Sequence, residues 1–234
     1  MSEFVASIKK SFASALVCST LISPVFAADI MEVTVYHEGE CSAKSGQVWM
    51  GLFPAKDKQF ELKAATINIS LVNDAIIDQD PKLKTGRKVS VPGKVEPLVL
   101  VHGAPGLKAG KVVTSSVIAK ERMDIGQKLK LNVGAKESSL TVSGVKKDAE
   151  WRTGYKIVLE SGGTKQTVYE RTQVADSSFP SLLWAGDLDG DGKIDLVMDT
   201  TDNYNVRQVT LFLSSKAKPG KLVEQVATHM STGC

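Results

Sequence analysis

The chain has little excess of charge of either sign: 29 Lys and Arg stand against 26 Asp and Glu, a formal net charge of +3. The lysines are dispersed with acids between them, which describes a solvated face and leaves no electrostatic case for nucleic acid. No apolar run reaches the roughly 20 residues that a transmembrane helix needs. Helical periodicity is scarce, and 116–123 is the most plausible short helix. There are three histidines, and His37, His102 and His229 stand apart in sequence, so none belongs to a clustered metal or catalytic signature.

Cysteine is as sparse, with three in all, and the first of them falls in a leader. Lys9 and Lys10 form a basic start, residues 12–22 (FASALVCSTLI) an uncharged apolar core, and Pro24 breaks the segment. Val25-Phe26-Ala27 then places small residues where a signal peptidase reads. Residues 1–27 are thus expected to be a cleaved signal peptide, with the mature chain starting at Ala28 in the periplasm or secreted. Val17 before Cys18 does not fit a lipobox. The mature chain keeps Cys41 and Cys234, and in an oxidising compartment an even count predicts one disulfide between them. Chain-entropy arguments value so long a loop at up to ~5 kcal/mol. The alternatives are two free thiols, or a metal site using His37, Glu38, Glu40 and Cys41.

Period-two alternation recurs along what remains, as half-buried strands require. Ile67, Ile69 and Leu71 alternate with Asn68 and Ser70, and Leu129, Leu131 and Val133 alternate with Lys130 and Asn132. Tyr155, Ile157 and Leu159 precede Ser161-Gly162-Gly163-Thr164, a hairpin signal. Ile194, Leu196 and Met198 repeat the pattern, as do Val209, Leu211 and Leu213, with a weaker last strand over 222–226. Pro-Gly pairs at 92–93, 105–106 and 219–220 punctuate the runs. The expected class is mainly β: antiparallel hairpins in a meander, sandwich-like or propeller-blade-like. One domain is expected over 28–234, less regular over 28–126 and a meander over 127–234, with a two-lobed arrangement as the alternative.

The most specific chemical signal is 186–198, GDLDGDGKIDLVM. Counting Asp187 as position 1, carboxylates fall at positions 1, 3, 5 and 9: Asp187, Asp189, Asp191 and Asp195. Gly190 and Gly192 lie between, and Lys193 can offer its backbone carbonyl. Alternating carboxylates wrap a hard cation in oxygen at about 2.3–2.6 Å for Ca2+, whereas Mg2+ keeps more waters. An EF-hand would close with a carboxylate at position 12, which is Met198. This loop instead closes at its ninth residue. The stretch resembles the calcium loop of FG-GAP repeats, the blades of integrin-α-type propellers, and of the related VCBS repeats. The match runs through Gly186, Asp187, Asp189, Gly190, Asp191, Gly192, Asp195 and Leu196, within 181–213. The resemblance implies that Asp187, Asp189, Asp191, Asp195 and the carbonyl of Lys193 bind Ca2+ between two strands.

Residues 98–106 (LVLVHGAPG) resemble the strand and oxyanion loop of α/β-hydrolases, which would make His102 a candidate for catalysis. No G-x-S-x-G elbow follows, and strands do not alternate with helices. Trp49, Trp151 and Trp184 read as core or loop-packing anchors, with Trp184 beneath the aspartate loop. The expected function is a non-enzymatic, exported calcium-binding β protein with a structural role or a protein or glycan partner at the cell envelope. The alternatives are a periplasmic hydrolase using the His102 loop, and a secreted adhesin or effector.

Overall fold

The computed structural model describes residues 28–116, 122–175 and 178–233. The leader 1–27, most of the expected helix at 116–123 and Cys234 lie outside the described residues. In chain order the strands are β1 (Asp29–Met31), β2 (Val35–Tyr36), β3 (Val48–Pro54), β4 (Phe60–Thr66), β5 (Asn68–Val72), β6 (Gly86–Ser90), β7 (Leu100–His102) and β8 (Gly110–Ser116). They continue as β9 (Lys128–Val133), β10 (Lys136–Lys146), β11 (Arg152–Ser161), β12 (Thr164–Val174), β13 (Ser181–Asp187), β14 (Asp195–Asp199), β15 (Val206–Leu213) and β16 (Glu224–Thr232). Two single 3-10 turns, Lys56–Lys58 and Ser214–Lys216, are the helical elements among the described residues. None is long and apolar enough to cross a membrane.

The chain is mainly β, and its described strand pairings are antiparallel. Nine strands form one sheet in the order β1-β7-β3-β4-β8-β13-β14-β15-β16. β1 lies alongside β16 without pairing to it, so this sheet is barrel-like and nearly closed. Full closure would remove the edges that otherwise invite pairing with other chains. Here the seam between β1 and β16 stays open.

Alternation along the staves explains three packed cores. Ile30, Leu52, Leu62, Val101, Val197 and Leu211 point into the barrel. Their neighbours on the outer face, Met31, Trp49, Phe53, Ala65 and Leu100, meet a small sheet of order β2-β6-β5 through Tyr36 and Val89. The outer face of β13, β14 and β15 is covered instead by the meander β12-β11-β10-β9, where Tyr155, Ile157 and Leu159 pack on Leu182, Leu196 and Met198. β13 and β14 are therefore buried on both faces from end to end. The alternation of Ile194, Leu196 and Met198 is half of the pattern, because Val197 between them fills the barrel.

Three local details differ from the expected pattern for physical reasons. The run Ile67, Ile69, Leu71 is not one strand continuous with β4, because the chain leaves the nine-stranded sheet at the fully buried Ile67 and enters the small one as β5. Leu71 ends 51% exposed. The last strand starts at Glu224 and runs on to Thr232, well past 226, because it pairs with β15 along its length. In β13, Leu183 and Trp184 both face the barrel interior, which strict alternation forbids, and a bulge opposite Val197 permits it. The hairpin at Gly162 and Gly163 forms as the glycine pair requires, with φ values of 55° and 80°.

Candidate metal site

The aspartate loop connects β13 to β14, and its first and ninth positions are the last residue of one strand and the first of the other. A strand–loop–strand frame thus replaces the helices of an EF-hand. Met198, at position 12, is fully buried in the core against the meander. Gly186 pairs with Asp195 at the mouth of the loop. A Cβ on Gly186 would lie 2.1 Å from the Val113 carbonyl oxygen and 2.5 Å from the Trp184 ring. That crowding shows Trp184 packed directly under the loop entrance, together with Leu188 in the barrel core.

The loop's backbone wraps around Asp187. Its Oδ1 accepts the N–H groups of Gly190 (2.8 Å) and Asp191 (3.0 Å), and its Oδ2 accepts that of Gly192 (2.9 Å). Gly190 and Gly192 reach this geometry in the left-handed region, at φ 80° and 76°, where other residues would be strained. Asp195 is fully buried. Its Oδ2 accepts the Leu188 N–H at 2.7 Å, and its Oδ1 accepts both the N–H (2.7 Å) and the hydroxyl (2.9 Å) of Ser214.

Carboxylate oxygens of Asp187, Asp189 and Asp195 lie within 4.8 Å of one another. At that separation two full charges repel by about 3–4 kcal/mol at an effective dielectric of 20. Burial pushes the Asp195 carboxyl up to about 7, with the charge of Asp189 adding to the rise and the N–H of Ser214 pulling against it. Asp191 stands apart from the three. It is exposed, its Oδ1 accepts the Ser214 hydroxyl at 2.9 Å and the Lys193 N–H at 2.9 Å, and its Oδ2 lies 3.6 Å from the Lys193 ammonium.

Two hydroxyls that sequence reading did not single out complete the site. Ser214 bridges Asp191 and Asp195, and the Ser215 hydroxyl donates to Asp189 Oδ2. Both sit on the 3-10 turn that follows β15, and no local signal in Leu-Ser-Ser-Lys marks them, because their partners lie a hairpin away. Lys136, the first residue of β10, donates to the Gly192 carbonyl at 3.3 Å. The donors here are carboxylate and hydroxyl oxygens with no imidazole or thiolate among them, so the set fits a hard cation and not a soft one.

The other singled-out residues are dispersed. His102 ends β7 exposed and stacks on the buried Trp49, with ring centroids 5.2 Å apart. The loop after it approaches the aspartates, since a Cβ on Gly106 would lie 3.5 Å from Asp189 Cβ. Trp151 is not a core residue, being 38% exposed at a turn. His37 is bound to the buried Asp74 through Nδ1. Cys41 is half-buried, and its thiol faces the Ala43 carbonyl at 3.8 Å. Glu40 beside it accepts the Thr232 N–H at 2.9 Å, which brings the end of β16 against the Cys41 turn. Comparison with protein-family models, curated proteins and solved structures finds no match.

Proposed function

We propose that this is an exported β protein whose loop at 187–195 binds one Ca2+, and that the ion stiffens the loop for a structural or partner-binding role at the cell envelope. The observation that carries this reading is the convergence of Asp187, Asp189 and Asp195 within 4.8 Å at one strand–loop–strand junction. Three carboxylates crowded in this way relax when a cation sits among them, and all the neighbouring donors are oxygens. Asp191 and the Lys193 carbonyl are the remaining ligands implied by the resemblance to FG-GAP and VCBS loops. Asp191 would exchange its contact with the Lys193 ammonium for the ion. Protein oxygens would then cover nearly the whole coordination shell, which suits a stabilising ion better than an open catalytic one. Export rests on the leader at 1–27, and the partner would be a protein or a glycan.

Extracellular calcium modules bind at ~0.1–1 mM. At ten times the dissociation constant, linkage adds ~1.4 kcal/mol of stability. The melting temperature of the calcium-loaded protein should therefore fall by a few degrees on chelation, and Asp195→Ala should abolish that response. Differential scanning calorimetry with calcium, magnesium and chelator measures it. An unchanged calcium response in Asp195→Ala would refute the ligand assignment.

A further inference from the structure

At the end of β13 and β14 opposite the aspartate loop, where Ser181 pairs with Asp199, the open seam of the barrel widens into a cavity of about 860 Å³. Its walls are the segment leaving β1, the turn between β14 and β15, the last residues of β16, and the start of β13 with Arg122. A cavity of this size at the mouth of a β-barrel is a common setting for a small ligand.

The floor is an ion network with nothing to spare. Arg207 donates to Glu32 through Nε (2.9 Å) and Nη2 (2.7 Å) and to Asp199 Oδ2 through Nη1 (2.5 Å). The other oxygen of Asp199 accepts the Thr201 N–H at 3.1 Å and the Gln208 N–H at 3.2 Å. These groups shape the cavity and are already satisfied.

Other wall groups are not satisfied internally. Arg122 is exposed, and its guanidinium has no partner among the described residues. The side-chain amide of Asn205 and the hydroxyls of Thr34 and Ser231 are likewise uncommitted among the described residues. Tyr204 stands at the rim 76% exposed, with no ring or cation contact to it among the described residues. Among the described residues of the wall, the carboxylates of Glu32 and Asp199 are matched in number by the guanidiniums of Arg122 and Arg207. Matched charges among the described wall residues disfavour an ionic ligand, and uncommitted donors and acceptors disfavour an apolar one. Hydroxyl groups, which donate and accept, match such a wall, and the C–H face of a sugar ring matches an exposed tyrosine.

We propose that this cavity binds a neutral saccharide, with Tyr204 stacking on a sugar ring while Arg122 and Asn205 hydrogen-bond its hydroxyls. The site is separate from the calcium loop, and it is tested with chelator present so that the outcome does not depend on calcium.

The test is a titration of 15N-labelled full-length mature protein with maltose, cellobiose and N,N′-diacetylchitobiose, with succinate as the charged competitor. At least one of the three sugars should shift amides of 32–35 and 199–207. Tyr204→Ala should weaken that binding about tenfold or more, and Arg122→Gln by several-fold. Both side chains are exposed, so neither substitution threatens the fold. The proposal is overturned if none of the three sugars shifts these amides at tens of millimolar. It is equally overturned if the two variants bind like the parent, or if succinate binds more tightly than every sugar.

Discussion

At the scale of single residues, the crowding at Gly186 is the most exacting constraint in the loop region. Its Cα faces the Val113 carbonyl across the β8 pairing and the Trp184 ring from its own strand. Neither neighbour is the far end of a flexible side chain, so an added methyl would push apart two staves of the barrel. Gly186→Ala should cost about 3 kcal/mol, read as a lowered urea midpoint with unchanged slope, and a variant as stable as the parent would contradict the packing described. The alternating aspartates and glycines were legible in the sequence because most of their geometry is local: the carboxylates of Asp187, Asp189 and Asp191 accept N–H groups two to five residues on. Ser214 and Ser215 were not, since they reach Asp195 and Asp189 across 19 and 26 residues of chain.

Among elements, the turn joining β10 to β11 is tied to the segment before β9 by the guanidinium of Arg152, beside the apolar packing of the meander on β13 and β14. Arg152, with a side chain 7% exposed, donates to Asp124 through Nε (2.9 Å) and Nη2 (3.2 Å) and to the Asp148 carbonyl through Nη1 (2.8 Å). It also lies over the Phe179 ring at 4.8 Å. Hydrogen bonds from Arg152, with Lys146 adding to them against the cost of burial, hold the Asp124 carboxyl well below the usual carboxylate range. A carboxylate depressed in the folded state contributes stability above its unfolded pKa of about 3.9 and loses it as the pH falls from there toward the folded value. Asp124→Ala should thus cost about 2 kcal/mol near neutrality, and the cost should shrink in acid. Thermal melts from pH 7 down to about pH 2 check this; an equal deficit across the whole range would refute it. The meander itself was readable from its alternation and its glycine pair. The strands of 28–116 were less so, because their staves carry one face into the barrel and the other under a second sheet, which blurs the polar half of the pattern.

For the whole molecule, the nine-stranded sheet draws β1, β3, β4, β7 and β8 from the first half of the chain and β13 to β16 from the second. Glu40 reaches across its seam to Thr232. The Cys41 turn and the end of β16 are therefore held together by hydrogen bonds, while Cys234 itself lies outside the described residues. Burial pushes the Cys41 thiol up, which lowers its thiolate fraction and slows its reactions as a nucleophile. In protein recovered from the periplasm or medium, mass spectrometry of an unreduced digest should find these two cysteines linked and the N-terminus at Ala28. Freely alkylated Cys41 and Cys234 would defeat the disulfide, and an intact leader would defeat export.

The sequence by itself determined the aspartate loop with its flanking strands, the tight hairpin at Gly162 and Gly163, and the β class. Those features rest on residues adjacent along the chain, whose spacing dictates backbone geometry wherever they are placed. Only the tertiary structure decided which carboxylates converge, that serines from the next hairpin bind them, and that the barrel stops short of closing and leaves a polar cavity at its seam. Those outcomes depend on strand order and on which sheet covers which face, and period-two alternation is the same for every partner a strand could choose.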